Sequence, residues 1–236
     1  MAIMVDRQEK YGLIKKRRIS DQKFRVLQRC FISDITALQT SKIALVNRNT
    51  AQRYFAFFRR LLVVEAWNDR TQFKVGNGVE VDESYFGPKR VRGKRGRGAG
   101  RKIVVFGLLK RSGKVFAQVI SRASQREILP IIRRTVRSGS DIYSDGWRSY
   151  DALAIYGYNH KKVKHSENEF ATGEKHINGI ESFWSYTKRR LAKFNGITRT
   201  QFKRFLLESE WRFNHRMDTH KQLRKLIKKY KVSVVI

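Results

Sequence analysis

Apolar positions recur at helical spacing early in the chain. Phe24, Leu27, Phe31 and Ile35 stand three or four residues apart. A second helical stretch is predicted over 36–46, with an N-cap at Asn49 or Thr50 for the next. A third helix then carries Tyr54, Phe55, Phe58, Leu61 and Leu62. Helix, tight turn, basic helix is the layout of a helix-turn-helix, and equally of a plain helical hairpin. After a linker at 67–77 the period changes to that of strands. Strands are predicted at 79–86, 102–110 and 115–120. The last two form a hairpin through Arg111-Ser112-Gly113-Lys114. A helix over 125–136 follows, then short strands at 140–144 and 159–165. Two helices close the pattern, at 179–194 and 200–229. Strands with interspersed helices predict a mixed α/β layer, preceded by a small all-α region. The segments are thus a basic arm (1–23), a helical region (24–66), the linker (67–77), an α/β domain (78–216) and a basic helix or tail (217–236).

Composition narrows what such a layer is for. The 236 residues are 41% hydrophobic, enough for a core. Lys plus Arg number 52 against 20 Asp plus Glu, a formal net charge of +32. Such an excess repels itself in the compact state, and its usual counterpart is a polyanion, nucleic acid above all. The cations run through the whole chain rather than along one amphipathic helix, which disfavours a membrane surface. The single cysteine, Cys30, excludes an intrachain disulfide or a cysteine-rich zinc site. No apolar run is long enough to span a bilayer and the start lacks a signal-peptide layout, so a cytoplasmic protein is expected. The glycine- and cation-rich segment 88–102, with Lys94, Arg95 and Arg97, suits a phosphate backbone. So do Arg48, in the turn before the third helix, and Arg53 within it.

Three acids stand out among so many cations. Asp82 lies inside the apolar strand Val-Glu-Val-Asp-Glu-Ser-Tyr-Phe, where a charge needs a partner. Asp145 ends a strand just before Gly146-Trp147, and Glu181 sits among Ile180, Phe183 and Trp184 on a helix. Converging carboxylates repel one another, and two Mg²⁺ ions would relieve that while clamping the oxygens of a displacement at phosphorus. Each acid also has a plain structural reading: a buried ion pair, a turn residue, a helix N-terminal acid. Taken together and in this order, they favour a metal site. Glu83 competes with Asp82, but successive strand residues face opposite sides. Lys188, Arg189 and Arg190 follow Glu181 on its helix as phosphate-binding candidates. Asn178, one turn before Glu181, is weighed between cap and DNA contact, and His176 as a surface group.

Three segments carry a family resemblance: Val-Asp-Glu-Ser-Tyr-Phe-Gly (81–87), Ser-Asp-Gly-Trp-Arg-Ser-Tyr (144–150) and His-Ile-Asn-Gly-Ile-Glu-Ser-Phe-Trp (176–184) with Lys188-Arg189. They resemble the DDE transposases of bacterial insertion sequences, specifically short members of the fifteen-ninety-five family with an ISXO-like catalytic domain. The resemblance spans about residues 75–216. It implies a ribonuclease-H-like fold of the retroviral-integrase type, with Asp82, Asp145 and Glu181 as catalytic metal ligands and Lys188 as the basic residue after the third acid. It implies two Mg²⁺ ions, with Mn²⁺ as a substitute. Water would cut the element end, and the freed 3′-hydroxyl would attack target DNA. Partners would be the terminal inverted repeats, target DNA and further copies of the chain, in a bacterial nucleoid. Unlike members with a zinc ribbon, this chain would recognise ends through residues 24–62 and the arm. Two other readings are a non-catalytic DNA-binding descendant and another ribonuclease-H-like nuclease.

Overall fold

The computed structural model describes residues 19–71, 74–76, 78–87, 102–111, 113–145, 148–163, 178–194 and 197–230. Most of the basic arm, the loop cations Lys94, Arg95 and Arg97, and His176 lie outside them. The chain divides into two compact units. One holds the residues up to Ala66 and those from His215 on; the other runs from Trp67 to Asn214.

Polar caps set where the helices of the first unit begin. The Ser20 hydroxyl accepts the Lys23 N–H at 3.4 Å and starts α1 (Asp21–Ile32). The Thr36 hydroxyl accepts the Gln39 N–H at 3.3 Å and starts α2 (Ala37–Ile43). Asn47 Oδ1 accepts the Asn49 N–H at 2.8 Å, so α3 (Arg48–Thr71) begins earlier than a cap at Asn49 or Thr50 would allow. Asp34 and Leu45 turn the chain with φ of 58° and 50°. The Leu45 carbonyl accepts from Lys23 Nζ at 2.7 Å, which ties the second turn to α1. Phe58, fully buried, lies at the centre of an aromatic cluster with Phe24, Phe31, Tyr54 and Phe57, ring centres 5.3–6.4 Å away. The helix expected over 200–229 is two: α6 (Arg199–Asn214) and α7 (Thr219–Lys229), separated by a turn at 215–218. Helix α7 packs on α1 in the first unit rather than trailing as a tail.

In the second unit five strands form one sheet: β1 (Val79–Phe86), β2 (Ile103–Lys110), β3 (Val115–Ile120), β4 (Asp141–Ser144) and β5 (Asn159–Lys162). Their order is β3-β2-β1-β4-β5. The first three pair antiparallel, while β1, β4 and β5 run parallel. Parallel neighbours need crossovers. Helix α4 (Gln125–Thr135) supplies one, and a 3₁₀ segment over Arg148–Tyr156 supplies the other. This is the mixed α/β layer that the pattern predicted, with Asp82 on the first strand, Asp145 just after the fourth and Glu181 on a helix, the placement that the resemblance implied.

Side-chain alternation sorts the strands onto two cores. On one face Val79, Val81, Phe106, Leu108 and Ile142 meet Ile128, Ile131 and Ile132 of α4, with Tyr150 and Leu153 of the 3₁₀ segment. On the other, Val105, Leu109, Val115 and Tyr143 meet Ile180, Phe183 and Trp184 of α5 (Asn178–Ala192) and Phe202 and Leu206 of α6.

Side chains cap the outer edge of β3 at Val115 and Ala117. The Asn214 amide accepts the Val115 N–H at 2.7 Å and donates to the Val115 carbonyl at 2.9 Å. Glu210 accepts the Ala117 N–H at 2.8 Å, and Arg70 donates to the Ala117 carbonyl. Arg70 and Glu210 are themselves paired at 2.5–3.0 Å. Arg70 therefore holds the end of α3 in helical form to Thr71, through residues read from sequence as the start of a linker. Its anchor lies 140 residues away, beyond the reach of a local reading.

Candidate active site

The central strand carries acids on both faces. Glu80 and Asp82 point toward α5, and Glu83 toward α4 and the 3₁₀ segment. This is the alternation that made Asp82 and Glu83 exclusive choices.

Asp82 is held from α5. The Trp184 indole N–H donates to Asp82 Oδ2 at 2.9 Å. Burial first, and then the charges of Asp145 and Glu181, push the Asp82 carboxyl up to about 6, against lowering hydrogen bonds from the Glu83 N–H and Trp184. Both acids are exposed, Asp145 directly after β4 and Glu181 in the first turn of α5. The three acids singled out in the sequence thus come near enough to interact. Among the described residues no group of three acidic, His or Cys side chains stands ready to hold a metal ion.

Two acids outside the triad fix the elements that carry it. Glu80 Oε2 accepts the Ile180 N–H at 2.9 Å, so β1 holds the start of α5 from across the sheet. Arg111 lies 3.6 Å from the other Glu80 oxygen and 3.8 Å from the centre of the Tyr143 ring. Burial nevertheless raises the Glu80 carboxyl above its ordinary value. Glu83 accepts from the Tyr150 hydroxyl at 2.6 Å, which ties the chain beyond Asp145 to β1. Beside it, Ser144 Oγ and His160 Nε2 lie 2.8 Å apart. Glu80 drew no notice in the sequence, and Tyr150 stood in a resemblance segment without a role of its own. The available signal was an acid two residues from Asp82 on the same strand face.

Trp184 owes its place to a residue without a side chain. Gly107 pairs with Asp82 across β1 and β2. A Cβ there would stand 2.6 Å from Trp184 Cζ2 and 2.9 Å from Ile180 Cδ1. Gly107→Ala is therefore expected to lower stability by about 1–3 kcal/mol through overpacking and to displace the indole from Asp82. Urea unfolding and the near-ultraviolet tryptophan signal would register both effects. An unchanged midpoint with an unchanged spectrum would refute the tight seating.

The cations after Glu181 divide. Lys188 is exposed, its ammonium 5.8 Å from the centre of the Phe86 ring, on the face where Phe86 meets Trp184. Arg189 is exposed, and so is Asn178 at the start of α5. Arg190 corrects the sequence reading. It is 2% exposed and bonded to Glu208 at 2.5 Å and Ser209 at 3.0 Å. The reason is helical phase: Ile180, Phe183, Thr187 and Arg190 share the buried stripe of α5. In the helical unit, Arg48 and Arg53 are exposed on α3.

A family model for the ISXO2-like transposase domain matches residues 74–214. An uncharacterized transposase-like protein of Haemophilus influenzae is 43% identical over 102 residues, covering 43% of this chain and 82% of that protein. An uncharacterized protein in transposable element ISH50 of Halobacterium salinarum is 28% identical over 144 residues; the match covers 54% of this chain and about half, 49%, of that protein. The catalytic core of BIV integrase aligns with 57% of this chain and 82% of its own length, at 18% identity and a TM-score of 0.37. The Mos1 transposase in its paired-end complex with the left transposon end aligns with 90% of this chain and 79% of its own length, at 12% identity and a TM-score of 0.38.

Proposed function

This chain belongs to the ISXO2-like transposase family, and on that premise we propose that it cuts element-end DNA and joins the freed 3′-hydroxyl to target DNA at a site built from Asp82, Asp145 and Glu181. One observation carries the reading. Three separate motif segments bring their acids together at Asp82, the most buried of them, whose carboxyl is raised first by burial and then by the charges of Asp145 and Glu181.

The donor chemistry fits Mg²⁺, a hard cation that takes carboxylate oxygens and keeps several waters. Burial and like charge both disfavour the ionised Asp82, and a divalent cation beside it reverses that balance. Asp82, Asp145 and Glu181 would hold the metal. When bound, Mg²⁺ activates the attacking oxygen and stabilises charge on the leaving one.

The chain's own residues do the rest. The Trp184 indole and the Glu83 N–H hold the Asp82 carboxylate. Glu80 sets the start of α5 and hence Glu181. Tyr150 and Glu83 hold the segment after Asp145. Exposed Lys188 and Arg189 are placed to take phosphate oxygens beside the acids. Arg48 and Arg53 on α3 suit element-end recognition, as the second of two helices joined by a four-residue turn. The protein would act at the bacterial nucleoid as more than one copy, since two element ends must be brought together.

Strand transfer tests this. Purified protein, labelled element-end DNA, supercoiled target and Mg²⁺ should give joined product. Asp145→Ala, with unchanged folding because Asp145 is exposed, should give none. Salt-sensitive DNA binding with neither cutting nor joining in Mg²⁺ or Mn²⁺ would instead identify a non-catalytic DNA-binding protein.

A further inference from the structure

Helix α7 carries no Asp or Glu between Thr219 and Tyr230. Its cations Lys221, Arg224, Lys225 and Lys228 are all exposed. Their spacing of three, four and seven residues puts them in one stripe, about 10 Å long at 1.5 Å per residue. The opposite side, Leu223, Leu226 and Ile227, is buried in the helical unit.

The helix is also fixed in place. Lys229 Nζ bonds both Glu65 oxygens, at 2.9 and 3.1 Å, and the Tyr230 hydroxyl reaches Glu65 at 3.3 Å. At its start, the Gln222 amide donates to Asp218 at 2.8 Å. The cationic stripe is therefore presented on a rigid element rather than on a tail.

Positive charge converges where α7 meets α1. The His220 imidazole is held below its ordinary value, first by burial and then by the guanidinium charges of Arg224 and Arg29. Like charges gathered this way raise the free energy of the free protein and lower it once an anion arrives.

We infer that the outer face of α7 binds the phosphate backbone of a DNA duplex, so that the C-terminal helix completes the DNA-binding unit formed by α1–α3. This rests on the reading that the protein acts on DNA. An anionic membrane is the other polyanion such a helix could meet, but a membrane-bound helix must insert its apolar face. Here that face is already occupied by the unit's own core. A stripe of this length spans about three base steps at 3.4 Å each, and its contacts would be indifferent to sequence.

The experiment uses the full chain and a triple variant, Lys221→Gln, Lys225→Gln and Lys228→Gln, at exposed positions. The probe is a random-sequence duplex across a salt series, with phosphatidylserine-containing vesicles in a parallel arm. The expected slope of log affinity against log salt is shallower by about 2–3 in the variant, with affinity about 10- to 100-fold weaker near 0.15 M salt. A Lys225→Cys protein bearing a photo-cross-linker should label the duplex; Cys30 is buried and does not compete. An unchanged slope, or no cross-link, overturns the inference while leaving the transposase reading intact. Vesicle binding that the variant loses, with an unchanged duplex slope, overturns it in favour of a membrane. A wild-type chain that binds no duplex at all overturns the transposase reading itself.

Discussion

Asp82→Asn protein is expected to join no DNA and, in metal-free buffer near neutral pH, to unfold at a higher temperature than the wild type. The two effects have one cause. The Asp82 carboxyl is raised to about 6 by burial and by the charges of Asp145 and Glu181. Unfolded, it returns to about 3.9. Between those values the folded protein binds more protons than the unfolded one. Stability is then full below about pH 4, falls as pH rises through about 6, and stays low above. The ionised group costs up to about 3 kcal/mol near neutral pH, several degrees of melting temperature for a chain of this size. Asn removes the charge and keeps an oxygen for the Trp184 N–H. The gain should vanish near pH 4. On the proposed function, strand transfer should fall by at least about 10³-fold, since the variant loses a carboxylate proposed to hold the metal. Thermal melts across pH, beside a joining assay, decide it. A wild-type melting temperature equal to or above the variant's at neutral pH would refute the strained-acid account.

Glu208→Ala is expected to cost about 3–5 kcal/mol, enough to unfold a large fraction of a protein with ordinary stability. Glu208 is fully buried, and one of its oxygens takes Arg190 at 2.5 Å and Arg212 at 3.0 Å. Removing it takes that carboxylate away from two buried guanidinium groups. The cost reflects the stranded cations rather than the worth of the pair. Glu208→Leu combined with Arg190→Met and Arg212→Met should therefore recover most of it. Urea unfolding measures both. A single-variant loss under about 1 kcal/mol would show that water reaches the arginines.

Much of this was legible in the sequence, for physical reasons. The limits of β1 and β3 are as expected, because apolar alternation and a glycine turn are local signals. The proposed triad came from acids placed against the grain of apolar elements together with the family resemblance. What was missed depends on partners distant in sequence. The helix over 200–229 breaks at 215–218, where no Gly or Pro stands, as Asn214 turns its amide onto Val115 of the sheet. The segment 67–71 stays helical because Arg70 meets Glu210. Arg190 looked like one more cation in Lys-Arg-Arg until its phase on α5 put it inside. Glu80 went unnoticed because nothing in the sequence says that the start of α5 would arrive above it.

The capped edge of β3 bears on how copies of this chain can assemble. Val115 and Ala117 offer no free backbone groups to a strand from another molecule, because Asn214, Glu210 and Arg70 already occupy them. If the proposed reaction brings two copies together on paired DNA ends, a strand from one would find Val115 and Ala117 of the other already taken, which favours assembly through other surfaces or through the DNA itself. The same three side chains guard against runaway growth. In a cell that makes the protein without enough DNA to hold it, an open edge on so apolar a strand would be a template for filaments.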